Sequence, residues 1–122
     1  RININIYTYK MNSERLKKLE NVAQSLISSF ILEEMQEAQT EFGLINVSGV
    51  KLSSDLSYLD VYVSAFKNPE NLTKALAKHN KDIQHRFHKS MVLRKIPRIR
   101  YRYDDSGELS QSINNTINSL DI

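Results

Sequence analysis

Nine of the chain's seventeen Lys and Arg residues, and all three of its His, lie between Lys78 and Arg102, with Asp82 the one acid among them. Elsewhere eight cations face thirteen acids, so the overall charge of +3 conceals a polarised molecule. Such a concentration of cations, if carried by folded structure, associates with a polyanion, RNA foremost. The stretch closes on Arg98-Ile99-Arg100-Tyr101-Arg102-Tyr103. Strict alternation in a strand puts the three Arg on one face and Ile99, Tyr101 and Tyr103 on the other. Like charges two apart on a strand repel, and a bound anion would relieve that repulsion. Arg86, Lys89, Arg94, Lys95, Arg98, Arg100 and Arg102 are therefore the foremost candidates for phosphate contact. Lys78, Lys81, Arg15, Lys17 and Lys18 form a second rank.

Other chemistry finds less support. Tyr58 and Tyr62 stand on the less apolar face of a strand and could stack on bases, although packing against neighbours is the favoured reading. His85 and His88 sit three apart on a helix, but a metal needs three or four converging ligands. No acid pairs with these His in the sequence, so a structural or RNA-contacting role is expected and no metal or cofactor is called for. Asp104-Asp105 reads as turn chemistry because adjacent turn residues point apart. Neither a Gly-rich phosphate loop nor a Ser/His/acid set is present, so no enzyme is expected. The chain has no Cys, which excludes disulfides and thiolate metal sites.

The elements that must position these residues follow from periodicity. At 122 residues the chain is sized for one domain. No apolar run approaches the ~20 residues that span a bilayer. Leu16, Leu19, Val22, Ala23, Leu26, Ile27, Phe30 and Ile31 predict an amphipathic helix from 14 to about 40, capped by Asn12 or Ser13 and stopped by Gly43. Its acidic end, Glu33, Glu34, Glu37 and Glu41, reads as a solvated face. Ile45 and Val47 are out of phase with Val50 and Leu52, which predicts a β-bulge at Ser48-Gly49. A turn at Ser53-Ser54-Asp55 leads to a second strand with Leu59, Val61, Val63 and Ala65 inward, the pair forming an antiparallel hairpin. Asn68-Pro69-Glu70 starts a helix on Leu72, Ala75 and Leu76. A kink or break is expected near His79-Asn80, followed by a helix from Asp82 to about Met91 on Ile83, Phe87 and Met91. Pro97 introduces the last strand. Leu109, Ile113, Ile117 and Leu120 suggest a marginal C-terminal helix. The class is α+β, ordered α-β-β-α-α-β, a KH-like (type II) arrangement. It has a three-stranded sheet, helices on one face, and at least one parallel pair.

The stretch Val50-Lys-Leu-Ser-Ser-Asp55-Leu56-Ser57, followed by Val61-Tyr62-Val63-Ser64, closely resembles the hairpin of the bacterial ribosome-binding factor A family. That family shows Val-x-(aliphatic)-Ser-x-Asp-Leu-Ser and then Val-Tyr-Val-Ser. Arg15-Leu16 in the first helix, Met91-x-Leu93-Arg94-x-Ile96-Pro97, and Tyr103-Asp104-Asp105-Ser106 agree in order and spacing, so the resemblance covers residues 11–120. It implies a non-catalytic KH-like RNA-binding domain that binds small-subunit rRNA near the neck of the immature or free small ribosomal subunit and assists its late maturation. A monomer in the bacterial cytoplasm is expected, with an organellar stroma or matrix left open, no membrane partner, and an assembly GTPase as a candidate further partner.

The expected organisation is an N-terminal extension at 1–10 outside the fold (an edge strand being the alternative), the KH-like domain at 11–106, and a weak helix or tail at 107–122. The chain departs from ordinary KH domains in one place and from the family in three. It has no Gly-x-x-Gly loop, the clamp of ordinary KH domains. His79-Asn80-Lys81 stands where the family has Ala-x-Gly, Ala38-Gln39-Thr40-Glu41 where Asp-Pro-Arg is common, and Arg98 where Glu is frequent. The missing glycine motivates a second reading, a protein–protein adaptor that docks through the acidic end of the first helix.

Overall fold

The computed structural model describes residues 13–93 and 95–104. Helix α1 (Ser13–Glu34) leads through a 3-10 turn (Gln36–Ala38) and a short α2 (Gln39–Phe42) into β1 (Ile45–Leu52) and β2 (Tyr58–Ala65). Helix α3 (Pro69–Ser90) then crosses to β3 (Arg98–Tyr103). The sheet order is β1-β2-β3, with β1–β2 antiparallel and β2–β3 parallel. A parallel pair needs a long crossover, and α3 supplies it. The expected N-terminal extension at 1–10, the turn at Asp105-Ser106 and the C-terminal helix lie outside the described residues.

Both long helices lie on one side of the sheet because their apolar stripes and the inward strand positions are the same core. Ala23, Ile27 and Ile31 from α1 and Leu72, Leu76, Ile83 and Phe87 from α3 meet Leu52, Leu59, Val61, Val63 and Ile99, all buried. Each fully buried side chain of this size contributes roughly 1.5–3 kcal/mol relative to exposure. Val22, expected in the stripe, is instead exposed, since it sits at the margin of the arc that Ala23 and Ile27 centre.

The hairpin confirms the phase argument. Val47 pairs with Val63 and Gly49 with Tyr62, leaving Ser48 as the extra residue of a bulge. The turn explains its own sequence. Ser53 Oγ accepts from Ser57 N and Tyr58 N at 2.9 Å, and Asp55 Oδ1 accepts from Ser53 Oγ at 2.9 Å and Ser57 N at 3.1 Å. Those bonds hold Leu56 at φ 63, a left-handed conformation costly for a branched side chain. They also draw the Asp55 pKa below its ordinary value, the Ser53 hydroxyl bond first among the causes.

Three expectations are corrected. The first helix does not run to residue 40: it breaks at Met35, which is buried, and the short helix that follows buries Phe42 as well. The break turns the chain toward β2, where Lys67 N donates to Phe42 O at 2.8 Å and Phe66 N to Leu44 O at 3.1 Å. Second, α3 is one uninterrupted helix through His79-Asn80. Tertiary partners outweigh the weak propensity there: Tyr101 Oη donates to Asn80 Oδ1 at 2.8 Å, and His79 Nδ1 lies 3.4 Å from Glu34 Oε1. Third, Pro69 and Glu70 open α3 as expected, but Asn68 is left-handed and its side chain makes no cap bond. Its Nδ2 donates instead to Glu41 O at 2.8 Å, tying α2 to the start of α3.

Both edge strands are tied to the helix layer by polar side chains. Glu20 Oε2 accepts from Leu52 N at 2.8 Å and Gln24 Nε2 donates to Val47 O at 3.3 Å on the β1 side. On the β3 side Gln84 bridges Pro97 O at 2.9 Å and Ile99 N at 3.0 Å. These bonds occupy edge groups that would otherwise template another strand.

Candidate nucleic-acid interface

The alternation that buries Leu59, Val61, Val63 and Ile99 leaves the opposite sheet face uncovered by the described helices. That open face carries Tyr58, Asp60 and Tyr62 from β2, Lys51 from β1, and Arg98, Arg100 and Arg102 from β3. Parallel register sets Tyr58 beside Arg98, Asp60 beside Arg100 and Tyr62 beside Arg102. Lys51 stands on the other side of Asp60.

The three arginines are not equivalent. Arg100 forms a two-pronged pair with Asp60, Nε to Oδ1 at 2.7 Å and Nη2 to Oδ2 at 3.2 Å. Its guanidinium carbon also stands 4.0 Å from the centre of the Tyr58 ring, within cation–π range. The bond to Asp60 raises the Arg100 pKa, so this charge is fixed. Arg102 Nε lies 3.4 Å from the same Asp60 oxygen, with about half its side chain exposed. Arg98 is exposed and makes no ion pair among the described residues. The repulsion expected of the ladder is thus relieved from within, by Asp60, rather than left for an external anion. Asp60 was missed as a site residue, because the register across a long helical crossover cannot be read from alternation.

Lys95 joins this end of the molecule, its Nζ donating to Ser57 Oγ at 3.0 Å. Arg15, Lys17 and Lys18 are exposed on the first turns of α1, preceding the Glu20 bond to β1. Arg94 lies outside the described residues. The α3 cations go elsewhere. Lys78, Lys81 and Lys89 are exposed on the helix. Lys81, His85 and His88 line an open groove of about 450 Å³ with Asp82 and Gln84. Arg86 is tied to α1: Nη1 donates to Glu33 Oε1 at 3.0 Å, Nε lies 3.8 Å from Glu34 Oε2, and the guanidinium sits 5.7 Å from the Phe30 ring centre. The acidic end of α1 is therefore not a purely solvated face, and His79 does have an acid partner in Glu34. Asp104, expected in a turn, is buried; Ser48 Oγ donates to its carboxylate across β2, and its N–H donates to Val63 O at 2.8 Å.

The eleven candidates among the described residues thus divide between an open sheet face, the hairpin end and outer helix surfaces, with Arg86 used to join helices. Among the described residues, only the sheet face combines aromatic rings with converging guanidinium groups.

Comparison with known proteins bears on the same elements. The family model described as ribosome-binding factor A matches residues 15–117. A ribosome-binding factor A from Mycoplasmopsis pulmonis is 33% identical over 110 residues, covering 90% of this chain and 96% of the relative. The crystal structure of ribosome-binding factor A from Thermus thermophilus superposes with a TM-score of 0.61 at 27% identity, covering 72% of this chain and 94% of that one. A Thermus thermophilus homology model, fitted into a cryo-electron-microscopy map of its complex with the 30S subunit, matches with a TM-score of 0.52 at 27% identity, covering 66% of this chain and 89% of that one. With the hairpin, the parallel third strand and the covered helix face all in place, the chain belongs to the ribosome-binding factor A family.

Proposed function

We propose that this chain binds the small ribosomal subunit through its rRNA and assists the late maturation of that subunit, without catalysis. The observation that carries the reading is the open sheet face, where Arg98 is unpaired among the described residues and Arg102 half-exposed beside two tyrosines. Phosphate contact by Arg98, Arg102, Lys51 and Lys95 fixes the position of the protein on RNA, each neutralised phosphate adding about 0.7 to the salt slope on single strands. Arg100 orients, and Arg15, Lys17, Lys18, Lys78, Lys81, Lys89 and Arg94 extend the field. Residues 11–106 form the binding domain, acting as a monomer in the cytoplasm. No helix among the described residues is long and apolar enough to cross a membrane. The Thermus thermophilus complex supports the small subunit as partner by family likeness. An assembly GTPase is a further candidate partner.

The adaptor reading is weakened because Glu33 and Glu34, half of its docking surface, are engaged by Arg86 and His79. Cosedimentation with isolated small subunits, compared with complete ribosomes, tests the proposal. The protein should pellet with the free subunit, and Arg98→Glu with Arg102→Glu should release it. A wild-type protein that stays in the supernatant with both particles would overturn the reading.

A further inference from the structure

We infer that the open sheet face takes unpaired RNA bases, one on Tyr62 and one on the Tyr58–Arg100 stack, rather than the backbone of a duplex. This deepens the proposed function and rests on it. Three observations converge.

First, Arg100 is held as a platform rather than left as a spare cation. Asp60 grips it at two points, 2.7 and 3.2 Å, and thereby holds the guanidinium carbon over the Tyr58 ring, 4.0 Å from its centre. A guanidinium fixed on one side by a ring offers its other side to a base, a recurrent mode of recognising single-stranded RNA. Its hydrogen-bonding edge is meanwhile occupied by carboxylate, which leaves less of it for phosphate. Tyr58 and the Arg100 side chain are each about two-fifths exposed, so the stack is reachable.

Second, Tyr62 has room beside it. Its partner across the hairpin is Gly49, the residue following the bulge, and a Cβ built there would meet nothing within 4 Å. A larger residue at this position would occupy that space. The glycine therefore leaves the position paired with Tyr62 open.

Third, the charges are spaced for a backbone that passes between stacked bases. Tyr58 and Tyr62 are four residues apart on β2, about 13 Å at strand rise. Arg98 and Arg102 stand beside them at the two ends, in register with Tyr58 and Tyr62 respectively. The middle row sets Asp60, 17% exposed, between Lys51 and Arg100, and its two-pronged pairing takes up the Arg100 edge that a central phosphate would need. A duplex backbone laid along the strands would cross that row. A single strand that presents bases to the tyrosines carries its phosphates to the flanking arginines. Stacking of this kind tolerates any base, since each has a π-face.

The test uses the whole chain with an unstructured RNA of about 12 nucleotides, within the range of single-strand site sizes, carrying a central 2-aminopurine, and the same RNA annealed to its complement. The single strand should bind more tightly, with 2-aminopurine fluorescence quenched on binding. Tyr62→Ser and Gly49→Leu should each weaken single-strand binding, Tyr62→Ser by roughly 5- to 150-fold. The salt slope and duplex affinity should stay as in the wild type. Arg100→Lys keeps the charge and should lose single-strand affinity. Unquenched 2-aminopurine in the wild-type complex, or equal losses on single strand and duplex, would overturn the inference, and the first readout holds even if a variant fails to fold. A wild type that prefers the duplex overturns this inference alone. One that binds neither RNA yet pellets with the free small subunit overturns this inference alone, and one that also stays in the supernatant overturns the proposed function with it.

Discussion

Arg86 and Arg100 look alike in the sequence: each lies in the same cationic stretch with no acid beside it. In the structure Arg86 faces two carboxylates and Arg100 one, each beside an aromatic ring, yet in different surroundings. Arg86 stands between two helices, where Glu33, Glu34 and Phe30 use it to join α3 to α1. Arg100 stands on an uncovered face, where Asp60 and Tyr58 hold it outward. The contrast between helix layer and sheet face separates cations that assemble the fold from cations that are displayed by it. Net charge counts both equally; only their partners tell them apart.

The largest test of that division reverses two charges on each region. Arg98→Glu with Arg102→Glu should abolish RNA binding, whereas Lys78→Glu with Lys81→Glu should weaken it and leave it measurable. Filter binding across a salt series reads both, and neutralising the sheet pair alone should lower the log–log slope by about 1.4 on single strands. Equal effects from the two regions would erase the distinction. Asp60→Ala should next raise duplex affinity and the salt slope, since a negative charge leaves the face, while single-strand preference falls as Arg100 loses its orientation. A competition assay between the two RNAs gives that ratio.

Arg86→Ala should behave in the opposite way, lowering unfolding stability by about 1 kcal/mol in urea melts with little change in RNA affinity, its partly exposed ion pairs contributing little. A large loss of affinity at preserved stability would move Arg86 to the binding side. An effect of similar size belongs to Tyr101, whose ring lies on the inward side of β3 and whose hydroxyl donates to Asn80. Burial pushes its phenol pKa up, so the folded state keeps the proton that the unfolded chain releases near its ordinary value of about 10. Stability should therefore hold below about pH 10 and fall as pH rises further. Tyr101→Phe should cost about 1 kcal/mol at neutral pH and flatten that alkaline fall, as read by denaturant melts at about pH 8 and above about pH 10.

Much of the architecture was legible because local periodicity encodes it. The phase slip between Val47 and Val50 located the bulge, and alternation placed Arg98, Arg100 and Arg102 on one face. The crossover implied a parallel strand. What was hidden depends on contacts between distant segments. Asp60 reads as one outward residue of a hairpin until the parallel register sets it against Arg100. His79-Asn80 reads as a weak point in a helix until Glu34 and Tyr101 supply partners. Glu33 and Glu34 read as solvated until α3 packs beside them. Met35, similarly, ends α1 for a reason visible only in three dimensions, since the chain must turn to bring Phe42 into the core and the backbone of Phe66 onto Leu44.

The crossover also fixes a sequence of events. The hairpin of residues 45–65 can close locally within microseconds, whereas β3 must wait for α3 and a far longer loop. All three arginines of the open face arrive on that last strand. Before it docks, the face presents Lys51 and Asp60, balanced in charge, together with Tyr58 and Tyr62. A growing chain therefore shows its rings before its cations. The face gains its attraction for a polyanion only in the step that completes the sheet.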